Sequence, residues 1–381
     1  MTILYLIPQL PVDIHAIKGG IHSALVNLLS GMKNKHVNII VLSFCDKKHD
    51  AGVYAYAPNI TIYQEFEGNF PLHSLNYLFH GNAIVRRYIR QFRPDVIHFE
   101  EGHTFLFVRL FQKGKRNDFL TIHSIATEEA KTKVKKLDRL KWIFNGWMQR
   151  YLLPDRLICL SQWSAMHLPA YAKQKQVSVI PNAIAVHFFD LPVKRSFGKK
   201  IIFIGVLNER KNLMQVLKSM RSLKGQGKHY ELDVLGGFVD DEYRKAVQSF
   251  IAVNQLDHDV KLKGWVSQPE VLSHLQQADI LVLPSKQETL PMVIAEAMAA
   301  GKVVVASNVG GIPHQIEHGK NGFVFDLQRP DDFTKLLSDL YQNQNLMMEI
   351  SASSRMASKL QQHADVVAQQ TLELYNKYVD A

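Results

Sequence analysis

Residues 280–307 read ILVLPSKQETLPMVIAEAMAAGKVVVAS and set out a strand, a loop, a helix and a second strand in that order. The runs ILVL and KVVVAS are short and rich in β-branched residues, as is typical of strands buried on both faces of a parallel sheet. Pro291 suits the first turn of the helix, where its missing N–H would be unpaired anyway, and Gly301 suits the residue just past the helix end. This segment therefore predicts one strand–helix–strand unit of an α/β fold.

Similar units recur along the chain, whose 381 residues exceed the size of one hydrophobic core. The series restarts near residue 200, after a stretch without clear periodicity, VIPNAIAVHFFDLPVKRSFGKK. We predict two doubly wound, Rossmann-like α/β domains that face a central crevice, residues 1–184 and residues 185–362, and a C-terminal helix at 363–381 that packs back on the first domain. The strand-like runs behind this prediction are TILYLIP, VNIIVLSF, VIHFE, FLTIHS, RLICLS, SVIP, KIIFIG, ELDVLG, VKLKG, ILVLP and KVVVAS.

Composition indicates an ordinary globular protein with a net charge of +10, which favours an anionic partner. The two cysteines, Cys45 and Cys159, lie in strand-like runs and make no disulfide scaffold, which fits a reducing cytoplasm. The first residues lack the basic leader of a signal peptide, and no apolar segment approaches the length of a membrane span. We therefore expect a cytoplasmic protein, or one attached to the inner surface of a membrane.

Glycine patterns count against two common nucleotide-binding classes. No G-x-G-x-x-G follows the first strand, which counts against a dinucleotide oxidoreductase, and no G-x-x-x-x-G-K-[ST] is present, which counts against a P-loop enzyme. Three glycine pairs instead lie between a strand and a helix, where bare backbone can approach a phosphate or simply form a turn. These pairs are Gly19–Gly20, Gly236–Gly237 and Gly310–Gly311.

Two glutamates in the opening segment, Glu288 and Glu296, are eight residues apart. On a helix this spacing separates them by about 80° around the axis and about 12 Å along it, too far to share a proton. Glu288 falls in the loop before the helix and Glu296 inside the helix. Backbone amides of the loop and first turn would form an anion site between them, so that a sugar, a phosphate bridge and a ribose could bind in sequence. These amides belong to Thr289, Leu290, Met292 and Val293.

A simpler alternative makes Glu288 a capping residue of that helix and Glu296 a solvent-facing side chain. The sequence VIAEAMAA around Glu296 is more apolar than a solvated helix face would be. We therefore favour the binding of a nucleotide sugar by the two glutamates.

Residues 285–325, SKQETLPMVIAEAMAAGKVVVASNVGGIPHQIEHGKNGFVF, resemble the signature segment of the retaining glycosyltransferases of family 4, which have the GT-B fold. Further pieces of the family pattern follow in order over nearly the whole chain: KGGIHSALVNLL, PDVIHFE, TIHS, ICLSQWS, VIPNAI and IIFIGVLNERKNL. The resemblance implies that Glu288 binds hydroxyls of the transferred sugar and that Glu296 binds the nucleotide ribose. It places the donor in the loop that also contains Thr289, Leu290, Pro291 and Met292.

The same resemblance implies phosphate ligands. Gly19 and Gly20 would approach the donor phosphates from the first domain, and Lys211 would neutralise the diphosphate. We expect Lys211 to open a surface helix. The family arginine that usually follows IIFIG is replaced by Val206. Arg210 could substitute for it, or Arg210 could be a solvated charge while Lys211 and backbone amides hold the phosphate alone.

His123 in TIHS corresponds to the family histidine beside the transferred sugar, although a lone histidine at a strand end is often structural. His98, His103 and Ser124 also lie at strand ends with weaker claims. The resemblance thus implies His123, Glu288 and Lys211 as catalytic residues.

No metal or other cofactor is expected. The run HQIEH at 314–318 fits a zinc-peptidase pattern, but Pro313 and Gly319 leave too short a helix to present both histidines. The acidic pairs Asp240–Asp241 and Asp331–Asp332 begin predicted helices, where carboxylates complement the helix dipole.

The resemblance implies a retaining glycosyltransferase that moves a hexose-type sugar from a nucleotide sugar, most simply a UDP-sugar, to a glycan or lipid-linked acceptor in cell-surface polysaccharide or lipopolysaccharide assembly. The alternatives are a sugar-nucleotide epimerase or phosphorylase of the same fold, or a non-catalytic nucleotide-sugar-binding protein. Nucleic acid is not an expected partner, because no recognised binding module is present.

Residues 131–153, KTKVKKLDRLKWIFNGWMQRYLL, predict an amphipathic helix with a basic N-terminal part. One interpretation is a helix packed on its own domain with a solvated basic rim. The other is a surface that binds anionic lipid, with Trp142 or Trp147 at the interface.

Overall fold

The computed structural model describes residues 1–11, 19–45, 47–66, 80–100, 117–125, 128, 143, 153–194 and 196–379. Contacts divide the chain into two compact units, Met1–Ala183 together with Ala364–Ala381, and Ile184–His363. The divisions expected from sequence, after residues 184 and 362, lie one residue from these.

An eight-stranded sheet forms the centre of the first unit. Its spatial order is β3-β4-β2-β1-β5-β6-β7-β8, and neighbours are parallel except β3, which runs antiparallel to β4. Because the chain winds from β1 to one side and then returns to β5 on the other, the winding reverses between these two strands. The strands are β1 (Thr2–Gln9), β2 (Asn38–Cys45), β3 (Gly52–Ala57), β4 (Ile60–Phe66), β5 (Val96–Phe99), β6 (Asn117–Ile122), β7 (Arg156–Cys159) and β8 (Gln176–Val179).

The last helix of the chain belongs to this first unit. It is α11 (Ala364–Val379), and it packs against α1 (Gly20–Met32) so closely that a Cβ at Gly31 would lie 2.2 Å from the carbonyl oxygen of Ala364. Tyr375 of α11 reaches the sheet, where its hydroxyl lies 3.0 Å from that of Tyr5. Other described helices of the unit are α2 (Asn82–Phe92) and α3 (Gln162–Met166).

A six-stranded parallel sheet forms the centre of the second unit, in the order β11-β10-β9-β12-β13-β14. Its winding reverses between β9 and β12. The strands are β9 (Lys200–Ile204), β10 (Glu231–Leu235), β11 (Val260–Gly264), β12 (Ile280–Leu283), β13 (Val303–Ser307) and β14 (Phe323–Phe325). The helices are α4 (Val186–Phe189), α5 (Leu213–Gly225), α6 (Asp241–Val253), α7 (Gln268–Gln277), α8 (Met292–Ala299), α9 (Pro330–Gln342) and α10 (Gln344–Gln362).

Both faces of each sheet are buried, as the apolar strands predict. In β9, Ile201 and Phe203 join one core cluster with residues of α5, α6 and α9, whereas Ile202 joins a second cluster with residues of α8. In β1, Tyr5 and Leu4 divide between two clusters in the same way. The prediction of parallel sheets covered on both faces is therefore confirmed for these strands.

Residues 280–307 form β12, α8 and β13, and Gly301 follows the helix with a φ of +65°. One detail differs: Pro291 is the N-cap residue, with φ −70° and ψ 120°, and the helix begins at Met292. Its extended ψ places it just outside the helix, although the missing N–H still costs no helical hydrogen bond.

Three strands were not among the predicted runs. β3 is an edge strand without a fully buried residue, so it lacks the continuous apolar pattern used to find the others. β4 alternates buried and partly exposed residues, and β14 has only three residues. Because β3 forms an antiparallel hairpin with β4, the first sheet is not wholly parallel.

Two sequence features lie outside the described residues: His103, and the basic segment 131–153 except for Ile143 and Leu153. In the part of the chain that the structure does describe, no helix combines the length and the apolar character needed to cross a bilayer.

Candidate functional site

Two loops of the second unit meet where its winding reverses, after β9 and after β12. Ligands of open α/β sheets bind at the carboxyl ends of strands at such a point. The amide of Lys286 donates to the carbonyl of Arg210 at 2.7 Å, and Nδ2 of Asn212 donates to the carbonyl of Pro284 at 3.1 Å. These bonds join the turn NERKN to the loop that precedes α8.

Lys211 and Glu288 form the central contact between these loops. Nζ of Lys211 lies 2.6 Å from Oε1 of Glu288, with the side chains 12% and 8% exposed. Sequence reasoning took Lys211 to open a surface helix, and this was wrong. α5 begins only at Leu213. Lys211 lies in the preceding turn, where its backbone amide donates to Oδ1 of Asn208 at 3.0 Å.

Arg210 lies beside the same carboxylate. One of its guanidinium nitrogens is 3.8 Å from Oε2 of Glu288 and donates to the carbonyl of Gln287 at 3.1 Å. Arg210 is thus held against the loop rather than extended into solvent, although its side chain is 35% exposed. The structure brings two cations to one buried carboxylate.

Glycine pairs hold this arrangement through close backbone packing. Gly310 has a φ of +55°, and a Cβ there would lie 1.7 Å from the carbonyl oxygen of Glu288, to which the amide of Gly311 donates at 3.2 Å. Gly236 has a φ of +130°, and a Cβ would lie 2.0 Å from the carbonyl oxygen of Gly205. These glycines therefore fix the backbone around Glu288 and at the ends of β9 and β10.

Glu296 lies in the fifth position of α8 and is partly exposed. No hydrogen bond or ion pair to its carboxyl group is made by the described residues, and burial raises its pKa to about 7. α8 has no side-chain cap, since its N-cap residue is Pro291, and the Glu288 carboxylate bonds to Lys211. The capping alternative for Glu288 is therefore wrong, and Glu296 is not a fully solvated side chain.

Three buried side-chain oxygens around this loop have no hydrogen-bond partner among the residues that the structure covers. They are Oγ of Ser285, Oε1 of Gln287 and Oε1 of Gln315. Buried polar atoms are nearly always paired, so each of these oxygens is open to a hydrogen bond from a ligand or from water. Sequence reasoning missed all three. The signal that could have found them is position, because Ser285 and Gln287 lie close to Glu288 in the sequence and Gln315 closely follows Gly310–Gly311.

The first unit carries a second group of candidate residues at the ends of β5 and β6. Nε2 of His123 lies 2.9 Å from Oε2 of Glu100, a residue to which sequence reasoning gave no role. Burial alone would raise the pKa of Glu100, but His98 and His123 outweigh it and hold that pKa below its usual value.

Other candidate residues described in the first unit are a buried histidine, His98, and two exposed glycines, Gly19 and Gly20. Burial lowers the pKa of His98, whose ring bonds Oγ1 of Thr121 at 2.7 Å and the hydroxyl of Tyr375, so its surroundings are those of a structural histidine. Gly19 and Gly20 are exposed at the start of α1, where Gly19 has a φ of +122°.

The patterns set aside for metal binding have ordinary structural roles. HQIEH begins in a 3₁₀ turn, Ile312–His314, rather than in an α-helix. Asp240 caps α6 by accepting from the amide of Tyr243 at 2.8 Å, and Asp331 lies in the first turn of α9. No group of three or more metal-ligating side chains occurs within the described ranges.

Comparison with protein families gives matches over both halves of the chain. Residues 192–356 match the family described as glycosyl transferases group 1, and residues 18–188 match the one described as glycosyltransferase family 4. An uncharacterized glycosyltransferase of Methanocaldococcus jannaschii is 23% identical over 343 residues, which is 90% of each chain. The amylovoran biosynthesis glycosyltransferase AmsK of Erwinia amylovora is 32% identical over 182 residues, 45% of this chain and 43% of AmsK.

Solved structures resemble the whole chain. Sucrose-phosphate synthase from Thermosynechococcus elongatus gives a TM-score of 0.82 at 16% identity, covering 99% of this chain and 98% of that one. HepE from Anabaena, in complex with UDP and glucose, gives a TM-score of 0.72 at 18% identity, covering 98% of each chain. At such identities the similarity concerns the fold, and it confirms the GT-B class with two Rossmann-like domains.

Proposed function

Because the chain belongs to the family 4, group 1 glycosyltransferases, we propose that it moves a hexose-type sugar, with retention of configuration, from a nucleotide sugar to a glycan or lipid-linked acceptor. The name of AmsK, an amylovoran biosynthesis glycosyltransferase, supports a place in cell-surface polysaccharide or lipopolysaccharide assembly. The complex of HepE with UDP and glucose supports a UDP-sugar as the first donor to test.

The observation that carries this proposal is the Lys211–Glu288 pair at the point where the second sheet reverses its winding. A lysine and an arginine beside one carboxylate suit a ligand that has both phosphate and hydroxyl groups. In the proposed complex Lys211 and Arg210 bind the diphosphate, and Glu288 accepts from hydroxyls of the sugar. Arg210 thereby takes the part of the family arginine that Val206 replaces.

Helix α8 completes the proposed donor site. Its N-terminal amides at Met292 and Val293, together with those of Thr289 and Leu290 in the loop, bind phosphate oxygens at the positive end of the helix dipole. Glu296 accepts from the ribose hydroxyls, which offer its carboxylate the hydrogen bonds it otherwise lacks. The unpaired oxygens of Ser285, Gln287 and Gln315 provide further acceptors around this loop.

The proposed chemistry depends on stabilising the leaving diphosphate more than on a strong protein base. As the bond from the sugar to the diphosphate breaks, negative charge develops on the phosphate, and Lys211, Arg210 and the amides of α8 stabilise it. The acceptor hydroxyl attacks from the same face and passes its proton to the departing phosphate. This route needs neither a protein nucleophile nor a metal ion.

His123 and the pair Gly19–Gly20 keep the roles implied by family resemblance. We propose that His123 binds the transferred sugar and that the exposed backbone of Gly19 and Gly20 binds phosphate.

A panel of UDP-, GDP- and ADP-sugars tests the proposal by thermal shift, followed by release of nucleoside diphosphate with and without acceptors. We expect UDP-sugars to raise the melting temperature and release of UDP to require an acceptor. Acceptor-independent conversion of the donor to its epimer, or a requirement for inorganic phosphate, would favour an epimerase or a phosphorylase. Binding of the donor without any turnover would favour the non-catalytic alternative.

Attachment of residues 131–153 to an anionic membrane remains a proposal from the sequence. Each lysine near such a surface contributes about 1 kcal/mol. Wild type should therefore co-sediment with anionic but not neutral liposomes, and the replacement of four lysines by glutamate should abolish it. Equal recovery with both liposome types, or none, would contradict the proposal. The four lysines are Lys131, Lys133, Lys135 and Lys136.

A further inference from the structure

The contact between Glu100 and His123 is set by the first sheet. Glu100 directly follows β5 and His123 directly follows β6, and these neighbouring strands are parallel with Phe99 opposite Leu120. The amide of Glu100 also donates to the carbonyl of Leu6 at 3.1 Å, which extends the ladder to β1. The backbone of Glu100 is therefore held on the central strand of the sheet.

The side chains of this pair are nearly inaccessible, with 4% of Glu100 and 10% of His123 exposed. A buried carboxylate is costly unless it is paired and hydrogen-bonded. His98 does not supply that hydrogen bond: its two ring nitrogens bond Thr121 and Tyr375, and its Nε2 stays 3.8 Å from Glu100. Among the described side chains, His123 alone bonds the Glu100 carboxylate directly.

The bond dictates where the imidazole carries its hydrogen. An ionised carboxylate can only accept, so Nε2 of His123 must be the donor over the 2.9 Å contact. In the neutral ring Nδ1 is then left as an acceptor, and it has no partner among the residues the structure covers. A histidine whose tautomer is fixed in this way presents one defined group to a ligand hydroxyl.

We propose that Glu100 is a positioning residue for His123, which orients the imidazole and fixes its hydrogen on Nε2 so that Nδ1 accepts from a hydroxyl of the transferred sugar. This inference rests on the proposed function, in which His123 binds the transferred sugar. It goes beyond that function because it assigns a role to a buried carboxylate that does not itself touch the substrate.

A double-mutant cycle tests this role with the nucleotide sugar that gives the largest thermal shift in the panel. Glu100→Gln should lower kcat by roughly 10–100-fold with KM within about threefold, as expected for losing a carboxylate that orients a working histidine. In a His123→Gln background the same substitution should have no further effect on kcat. Thr121→Val is the matched control, because it disturbs the neighbouring His98 but leaves the pair intact, and kcat should stay within about twofold to threefold.

Nitrogen-15 spectra of histidine-labelled, ligand-free protein give a readout that does not depend on turnover. The His123 signal, identified by its loss in His123→Gln, should report hydrogen on Nε2 in wild type and in Thr121→Val. It should lose that preference in Glu100→Gln, because an amide can either donate or accept.

An unchanged His123 signal in Glu100→Gln overturns the inference, and so does a loss of kcat that persists undiminished in the His123→Gln background. Failure of the proposed function is distinguishable: wild type would turn over no nucleotide sugar, whereas the spectra would still report whether Glu100 fixes the ring.

Discussion

Replacing Lys211 with alanine should lower kcat by roughly two to three orders of magnitude, because it removes a donor aimed at the charge that develops on the leaving diphosphate. The substitution should also destabilise the fold. The Glu288 carboxylate, 8% exposed in wild type, would then have Arg210, at 3.8 Å, as its one remaining cation among the described residues. Breaking a buried pair in this way costs several kcal/mol, which Arg210 reduces here to about 2–3 kcal/mol. Steady-state kinetics and thermal unfolding measure the two effects, and we expect a melting temperature lower by about 5–10 °C.

Two controls separate catalysis from stability. The double variant Lys211→Ala, Glu288→Gln removes the unpaired charge, so it should recover most of the lost stability and none of the lost turnover. Lys224→Ala breaks a more exposed ion pair, with Asp259 at 2.8 Å, and should cost less than about 1 kcal/mol with unchanged kcat. Near-normal turnover by Lys211→Ala would instead assign the diphosphate to Arg210 and the backbone amides.

Replacing Glu296 with glutamine should stabilise the ligand-free protein above pH 7 and leave its stability unchanged at pH 4. The pKa of Glu296 is raised from 4.5 to about 7 by burial, so the folded state favours the protonated carboxyl. The contribution of the protonated Glu296 carboxyl to the free energy of unfolding is fully present below pH 4.5 and is lost as the pH rises through 7. This pKa shift corresponds to a loss of about 3 kcal/mol in the free energy of unfolding. We expect about 2 kcal/mol, because water screens the partly exposed side chain.

Melting temperatures from pH 4 to pH 9 measure this effect. Glu296→Gln should exceed wild type by about 4–8 °C at pH 8, since glutamine never acquires the charge. Glu349→Gln, at an exposed position of α10, is the matched control and should show no such gain. If Glu296→Gln and wild type have the same melting temperature at every pH, burial does not disfavour the ionised Glu296 carboxylate, and the prediction is wrong.

The opening segment could be predicted in detail because its signals are local. Apolar runs define β12 and β13, and Gly301 marks the end of α8 with a positive φ. The resemblance to family 4 then identified Glu288 and Glu296 from the same segment. These features depend on residues that are close in the sequence. The fold confirms the two strands and the helix end, whereas the roles of the two glutamates stay proposals.

The Lys211–Glu288 and Glu100–His123 contacts could not be derived in the same way. Lys211 and Glu288 follow β9 and β12, which become neighbours only through the winding order of the sheet, and Glu100 and His123 meet only when β5 and β6 pair in one particular register; strand patterns alone reveal neither the order nor the register. The error at Lys211 has a local cause: Asn212 adopts the left-handed region, with φ 58°, and delays the helix to Leu213. Asparagine tolerates that conformation, so NERKN carried a turn signal that its polar, helix-like composition concealed.

Calorimetric titration of UDP into wild type, Glu288→Gln and Glu296→Gln at pH 8 tests most directly the claim that this segment binds a nucleotide sugar. We expect wild type to bind UDP and Glu288→Gln to bind it within about threefold, because Glu288 is assigned to the sugar, which UDP lacks. Glu296→Gln should bind roughly 5–30-fold more weakly, since a charge-assisted hydrogen bond to ribose, worth about 1–2 kcal/mol, becomes a neutral one. Equal binding of UDP by all three proteins would contradict this division between the two glutamates.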